Sequence, residues 1–118
     1  MSTHYRALAG EINATLAQLR ADIPDTTRGF GALSQAAMRE GVLDRKTKEL
    51  IAMALGVAAR CEPCLAFHAE ALVKLGCTRA ELEEMLAVCI YMGGGPSLMY
   101  AAHALDAYEQ CGGDHAPR

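Results

Sequence analysis

The stretch Cys61-Glu-Pro-Cys64-Leu-Ala-Phe-His68 places two cysteines and a histidine at helical spacing. Pro63 suits the first turn of a helix, where its missing N–H costs no hydrogen bond. We therefore expect a short turn over residues 60–64 that leads into a helix. On that helix Cys64 and His68 lie one turn apart on the same face. Two sulfurs at the Cys61/Cys64 spacing can close a disulfide with little rearrangement.

The same placement predicts reactive thiols. A cysteine at a helix N-terminus is exposed to the positive end of the helix dipole, which favours the thiolate. An imidazole one turn away can accept the thiol proton. The helix end favours Cys61 as the more acidic thiol, and His68 favours Cys64.

Glu49 is the candidate partner for orienting His68. It lies in the middle of the preceding helix, and a turn that reverses the chain could bring it to face Cys64 and His68. Glu49, His68 and Cys64 would then form a proton relay, with Cys61 as the resolving thiol. The alternative is a surface glutamate paired with Arg45, four residues earlier.

Outside this motif the composition favours helix, and no alternating strand pattern is present. The predicted fold is all-α, a bundle of about six helices. Caps, glycines and prolines predict helices over 3–21, 27–39, 44–59, from the Cys61 turn to Gly76, over 79–92, and from the 93–96 break to 110. A weak repeat aligns 41–52 with 76–87 and His68 with His103. It predicts two similar helical hairpins.

The chain as a whole predicts one domain over 1–118, with the redox motif at 49–68 and a loose tail at 112–118. The net charge of −3 and the absence of a basic run argue against a nucleic-acid partner. No apolar stretch is long enough to span a bilayer and no signal peptide is recognisable, so we expect no membrane partner and a cytoplasmic location. In that compartment the five cysteines are not expected to form structural disulfides.

Glu49, eleven residues, Cys61-x-x-Cys64, three residues and His68 together resemble the signature of the alkylhydroperoxidase D and carboxymuconolactone decarboxylase superfamily. The resemblance runs from about residue 41 to 108. It implies an all-α homo-oligomer, a trimer or hexamer. It also implies reduction of a hydroperoxide at Cys64, resolution by Cys61, no cofactor, and re-reduction by a dithiol such as a lipoamide-bearing protein.

One departure from the family pattern affects the expected activity. Alkylhydroperoxidase D carries a histidine between its two cysteines, whereas this chain has Glu62-Pro63 there. This favours a weaker peroxidase or a dithiol reductase. The decarboxylase branch does not use the cysteine pair and is disfavoured.

The sequence thus predicts a peroxiredoxin-type antioxidant enzyme with catalytic Cys64, Cys61, His68 and Glu49. Two alternatives stay open: a redox-sensing module without turnover, and a zinc site that uses the two cysteines and His68, with Glu49 or His103 as the fourth ligand. A thioredoxin fold is rejected because it requires strands. His103 is interpreted as a packing or hydrogen-bonding residue. The other cysteines are interpreted as structural, with Cys89 in the core, Cys77 before a helix cap and Cys111 as a free thiol in a fraying tail.

Overall fold

The computed structural model describes residues 2–115, and within them it shows six helices and no strand. The predicted all-α class is confirmed. None of the helices in this part of the chain is long and apolar enough to cross a membrane. The helices are α1 (Tyr5–Asp22), α2 (Pro24–Met38), α3 (Arg45–Ala59), α4 (Glu62–Lys74), α5 (Arg79–Gly93) and α6 (Gly95–Gln110).

Local signals set the starts of these helices. The Asp44 carboxylate accepts the Thr47 N–H at 2.7 Å and caps α3. Thr78 and Glu81 form a capping box at the start of α5. Helix α2 begins at Pro24, whereas the sequence predicted a start at residue 27. A proline at the first helical position needs no N–H, so Pro24 can initiate the helix.

Three helices end in the same hydrogen-bonded turn. After α3, α4 and α6 the chain makes a pair of backbone bonds around one residue with positive φ: Arg60 (57°), Gly76 (74°) and Gly112 (95°). This pattern is the Schellman motif, whose left-handed position favours glycine. Arg60 is the one non-glycine residue with positive φ in the described chain, and it directly precedes Cys61. The least favourable of the three turns therefore stands at the redox motif.

The helices pack as two hairpins, α3 with α4 and α5 with α6, joined by contacts of α4 with α6 and of α3 with α5. This is the arrangement that the repeat predicts. Small side chains line the α4–α6 contact and let the two helices approach closely: Ala66, Ala69, Ala101, Ala104 and Ala107 are buried. Helix α1 lies across α4 and brings the fully buried Tyr5 into the core.

The end of the chain departs from the sequence interpretation at Cys111. This residue is buried and caps α6, so it does not lie in a fraying tail. The tail predicted to be loose starts at Gly112, but the Arg79 guanidinium donates to the Asp114 carbonyl oxygen at 3.2 Å. Residues 116–118 lie outside the described residues.

Candidate active site

The two cysteines of the motif are brought together at the start of α4. Cys61 is the N-cap residue, and its sulfur is bonded to that of Cys64 at 2.08 Å. The Cα atoms are 5.2 Å apart, within the ordinary range for a disulfide. The Cys64 N–H points at the Cys61 sulfur at 3.2 Å, so a backbone donor at the helix N-terminus faces the place where a thiolate would form. The spacing therefore yields the predicted disulfide.

Gly56 lets α3 pass close to this pair. A Cβ added at Gly56 would lie 3.2 Å from the Cys64 Cβ and 3.7 Å from Leu65 Cδ2. The Gly56 carbonyl also accepts the Cys61 N–H at 3.0 Å, which closes the turn between α3 and α4. A glycine inside a helix costs about 1 kcal/mol relative to alanine, and here the close approach explains its presence. The sequence interpretation missed this residue, although a glycine in mid-helix was the available signal.

Glu49 and His68 meet as the sequence predicts. His68 Nδ1 lies 2.7 Å from Glu49 Oε2. The Glu49 side chain is only 7% exposed and that of His68 is 32% exposed. Glu49 thus pairs with His68 across the hairpin, and not with Arg45 on its own helix. Because the carboxylate occupies Nδ1, the other ring nitrogen is left for a group on the opposite side of the ring, and Cys64 lies one turn earlier on the same helix.

A second Glu–His pair flanks the cysteines, and the sequence interpretation missed it. Glu62, the first residue of α4, has Oε1 2.5 Å from His103 Nδ1 of α6. The Tyr5 hydroxyl of α1 donates to Oε2 of the same carboxylate at 2.8 Å. The sequence signals were the carboxylate between the cysteines and the repeat that aligns His68 with His103. Neither signal indicates that the two residues touch.

The zinc alternative receives no support from the described residues. Within 2–115, no group of three or more histidine, cysteine, aspartate or glutamate side chains is placed to hold a metal ion. Cys61 and Cys64 are bonded to each other, and His68 is paired with Glu49.

The remaining cysteines are set apart from the pair by their environments. Cys77 and Cys111 are buried and Cys89 is half-buried, and none of the three is in a disulfide. Cys89 packs at the edge of the core, close to the predicted position. Burial raises the pKa of all three thiols above the usual value for cysteine.

This contrast predicts the order of alkylation in the reduced protein. At neutral pH a thiol with a raised pKa holds less thiolate, so iodoacetamide should modify Cys61 or Cys64 at least about tenfold faster than the three buried thiols. Labelling of the three buried thiols should accelerate only as the pH rises, because their raised pKa values delay thiolate formation. Peptide mass spectrometry after timed quenching measures the order, and the chain unfolded in guanidinium is the control in which all five cysteines react alike. Equal rates in the folded protein would contradict the prediction.

Relatives of this chain are found in several bacteria. An uncharacterised protein of Cupriavidus necator is 38% identical over 109 residues, which cover 92% of this chain and 96% of the relative. An uncharacterised protein of Haemophilus influenzae is 37% identical over 108 residues, with the same coverage of 92% and 96%.

Solved structures share the fold. An apo carboxymuconolactone decarboxylase family protein from Legionella pneumophila superposes with a TM-score of 0.89 and is 52% identical, covering 91% of this chain and 96% of its own. A family protein from Thermotoga maritima, for which a role in an antioxidative response has been suggested, has a TM-score of 0.73 and is 26% identical, covering 85% of this chain and 88% of its own. A sequence model of the carboxymuconolactone decarboxylase family matches residues 24–107. The chain therefore belongs to the carboxymuconolactone decarboxylase family.

Proposed function

We propose that this protein is a thiol-dependent peroxidase of the alkylhydroperoxidase D type, which cycles Cys61 and Cys64 between dithiol and disulfide. The observation that carries the proposal is the disulfide at the start of α4 with the Glu49–His68 pair one turn beyond it. The family name alone leaves decarboxylase and redox chemistry open. A bonded cysteine pair beside a Glu–His pair whose carboxylate is buried favours redox chemistry.

The oxidative half-reaction starts at Cys64. Its thiolate attacks the terminal oxygen of a hydroperoxide, the O–O bond breaks, and the alkoxide takes a proton and leaves as an alcohol. The sulfur is oxidised to a sulfenic acid and the peroxide is reduced by the same two electrons. Cys64 suits this role because it lies one helical turn from His68 and so has a base within its own helix.

Glu49 and His68 supply the proton transfers. The Glu49 carboxylate needs a partner because its side chain is only 7% exposed and burying an unpaired charge is costly. His68 is that partner, and the bond to Glu49 fixes which way the ring faces. The free ring nitrogen then takes the Cys64 proton and returns it to the leaving oxygen.

Cys61 resolves the sulfenic acid. The Cys61 thiol sulfur attacks the Cys64 sulfur and forms the disulfide. The hydroxyl of the sulfenic acid combines with the thiol proton and leaves as water. In the closed pair the Cα separation is 5.2 Å, within the ordinary range for a disulfide. An external dithiol then reduces the pair and is itself oxidised to a disulfide. We propose a lipoamide-bearing protein as this reductant and the cytoplasm as the location.

We further propose that the protein is a homo-oligomer. Helix α2 has no buried side chain, and its large apolar residues Phe30 and Leu33 are 71% and 64% exposed. Large apolar side chains are also exposed on α5, where Tyr91 and Met92 are 82% and 74% exposed. On the face of α3 opposite Glu49, an apolar cavity of about 420 Å³ opens between α3 and α5. Contact with other copies of the chain would remove these apolar side chains from water.

Light scattering on the purified protein tests the assembly. We expect a mass that is a multiple of the 12.6 kDa chain, consistent with a trimer or hexamer. Phe30→Glu should shift the protein toward smaller species, because the introduced charge would have to be buried at the interface. A wild-type protein with the mass of one chain would contradict this proposal.

Hydroperoxide consumption in the presence of dihydrolipoamide tests the enzymatic proposal. Cys64→Ser and Cys61→Ser should both lose turnover, because one removes the nucleophile and the other the resolving thiol. A sulfenic acid trapped with a dimedone-type reagent should accumulate only in Cys61→Ser. Cys89→Ser, which alters a cysteine outside the pair, is the matched control and should keep turnover.

The possible outcomes separate the enzyme from a sensor. A pair that forms its disulfide once with peroxide but does not turn over with any dithiol would favour the sensing module. Turnover that survives Cys64→Ser would sink the proposed mechanism.

A further inference from the structure

Glu62 joins three helices at the redox turn. It immediately follows Cys61 and precedes Pro63 in the first turn of α4. One of its carboxylate oxygens is bonded to His103 of α6 and the other to Tyr5 of α1. The side chains of Glu62 and His103 are 27% and 37% exposed, and Tyr5 is fully buried. The cluster of Glu62, His103 and Tyr5 therefore lies partly in the protein interior.

Hydrogen bonds to Gln110 hold the start of α1, and with it Tyr5, in place. The Tyr5 backbone N–H donates to Gln110 Oε1 at 2.8 Å, and the Gln110 amide donates to the Thr3 carbonyl at 2.9 Å. Burial raises the pKa of the Tyr5 phenol most, and the hydrogen bond to Glu62 raises it further. The phenol therefore stays protonated and remains a hydrogen-bond donor throughout the physiological pH range. A carboxylate with fixed donors on both oxygens has little freedom to move.

We propose that Glu62, held by His103 and Tyr5, is a positioning residue that keeps Cys61 within bonding reach of Cys64 when the disulfide is open. The inference rests on the proposed cycling of the pair. Once the S–S bond breaks, Cys61 is a helix N-cap next to a strained left-handed residue, Arg60, and the turn would be free to relax. The bonds of Glu62 to α1 and α6 restrain that turn from its other side.

Two Glu–His pairs then have different roles beside one CxxC motif. Glu49 lies on α3 and orients the histidine that follows Cys64 on α4. Glu62 lies on α4 and uses the histidine at the matching repeat position on α6. The carboxylate between the two cysteines thereby binds a histidine from the second hairpin.

The thiol–disulfide equilibrium with dihydrolipoamide and lipoamide tests this role without any peroxide. The fraction of Cys61–Cys64 disulfide is measured by mass spectrometry after acid quenching and alkylation. Glu62→Ala should favour the dithiol form about tenfold in the equilibrium constant, because closing the disulfide would have to reorder the turn. Glu62→Gln, which can bond both neighbours, should restore the wild-type constant to within about twofold.

Further variants guard against misfolding. Tyr5→Phe keeps the buried ring and removes only the hydroxyl, and it should shift the equilibrium in the same direction by up to about fivefold. Glu70→Gln changes an exposed glutamate on the same helix and should have no effect. Circular dichroism confirms that each variant is folded.

The outcomes distinguish this inference from the proposed function. A wild-type equilibrium that Glu62→Ala and Tyr5→Phe leave unchanged would overturn the positioning role alone. If Glu62→Gln is as impaired as Glu62→Ala, the negative charge matters and positioning is contradicted. A wild-type protein that forms no disulfide with lipoamide would contradict the proposed function itself, whatever the variants do.

Discussion

The buried carboxylate of Glu49 is the constraint around which the α3–α4 hairpin is organised. Removed from water, it must keep a hydrogen-bonding partner, and His68 is the side chain that meets it. That requirement sets the register of α3 against α4 and turns the His68 ring. It also places the acid–base pair one turn from Cys64. The pairing thus contributes both to the packing of the hairpin and to the chemistry proposed for it.

The turn between the two helices imposes the second constraint. The Schellman motif at the end of α3 needs a left-handed residue, and Arg60 adopts that conformation at some cost. Cys61 follows directly and becomes the N-cap of α4, so both sulfurs lie at a helix N-terminus. Gly56 completes the arrangement, since any side chain there would press on Cys64. The position of the cysteine pair and the close packing of the hairpin therefore depend on the same few residues.

Local chemistry explains what the sequence could predict. Asp44, Thr78 and Gly76 act at helix ends through bonds within a few residues, so their roles follow from spacing. The contact between Glu49 and His68 could be predicted because both residues belong to one helical hairpin. Residues that depend on distant packing were not: Glu62 meets partners 57 and 41 positions away in the chain. Cys111 was misplaced for the same reason, because what buries it is the packing of the whole bundle.

The most direct test of this account is the rate at which reduced Cys64 reacts with a hydroperoxide in Glu49→Gln. Stopped-flow measurement of sulfenic acid formation at neutral pH, in a Cys61→Ser background, isolates that step. The account predicts a rate constant at least about tenfold lower than with Glu49 present. Glu84→Gln, at the repeat-equivalent exposed position on α5, should leave it unchanged. An undiminished rate in Glu49→Gln would contradict the claim that the Glu49–His68 pair activates the thiol.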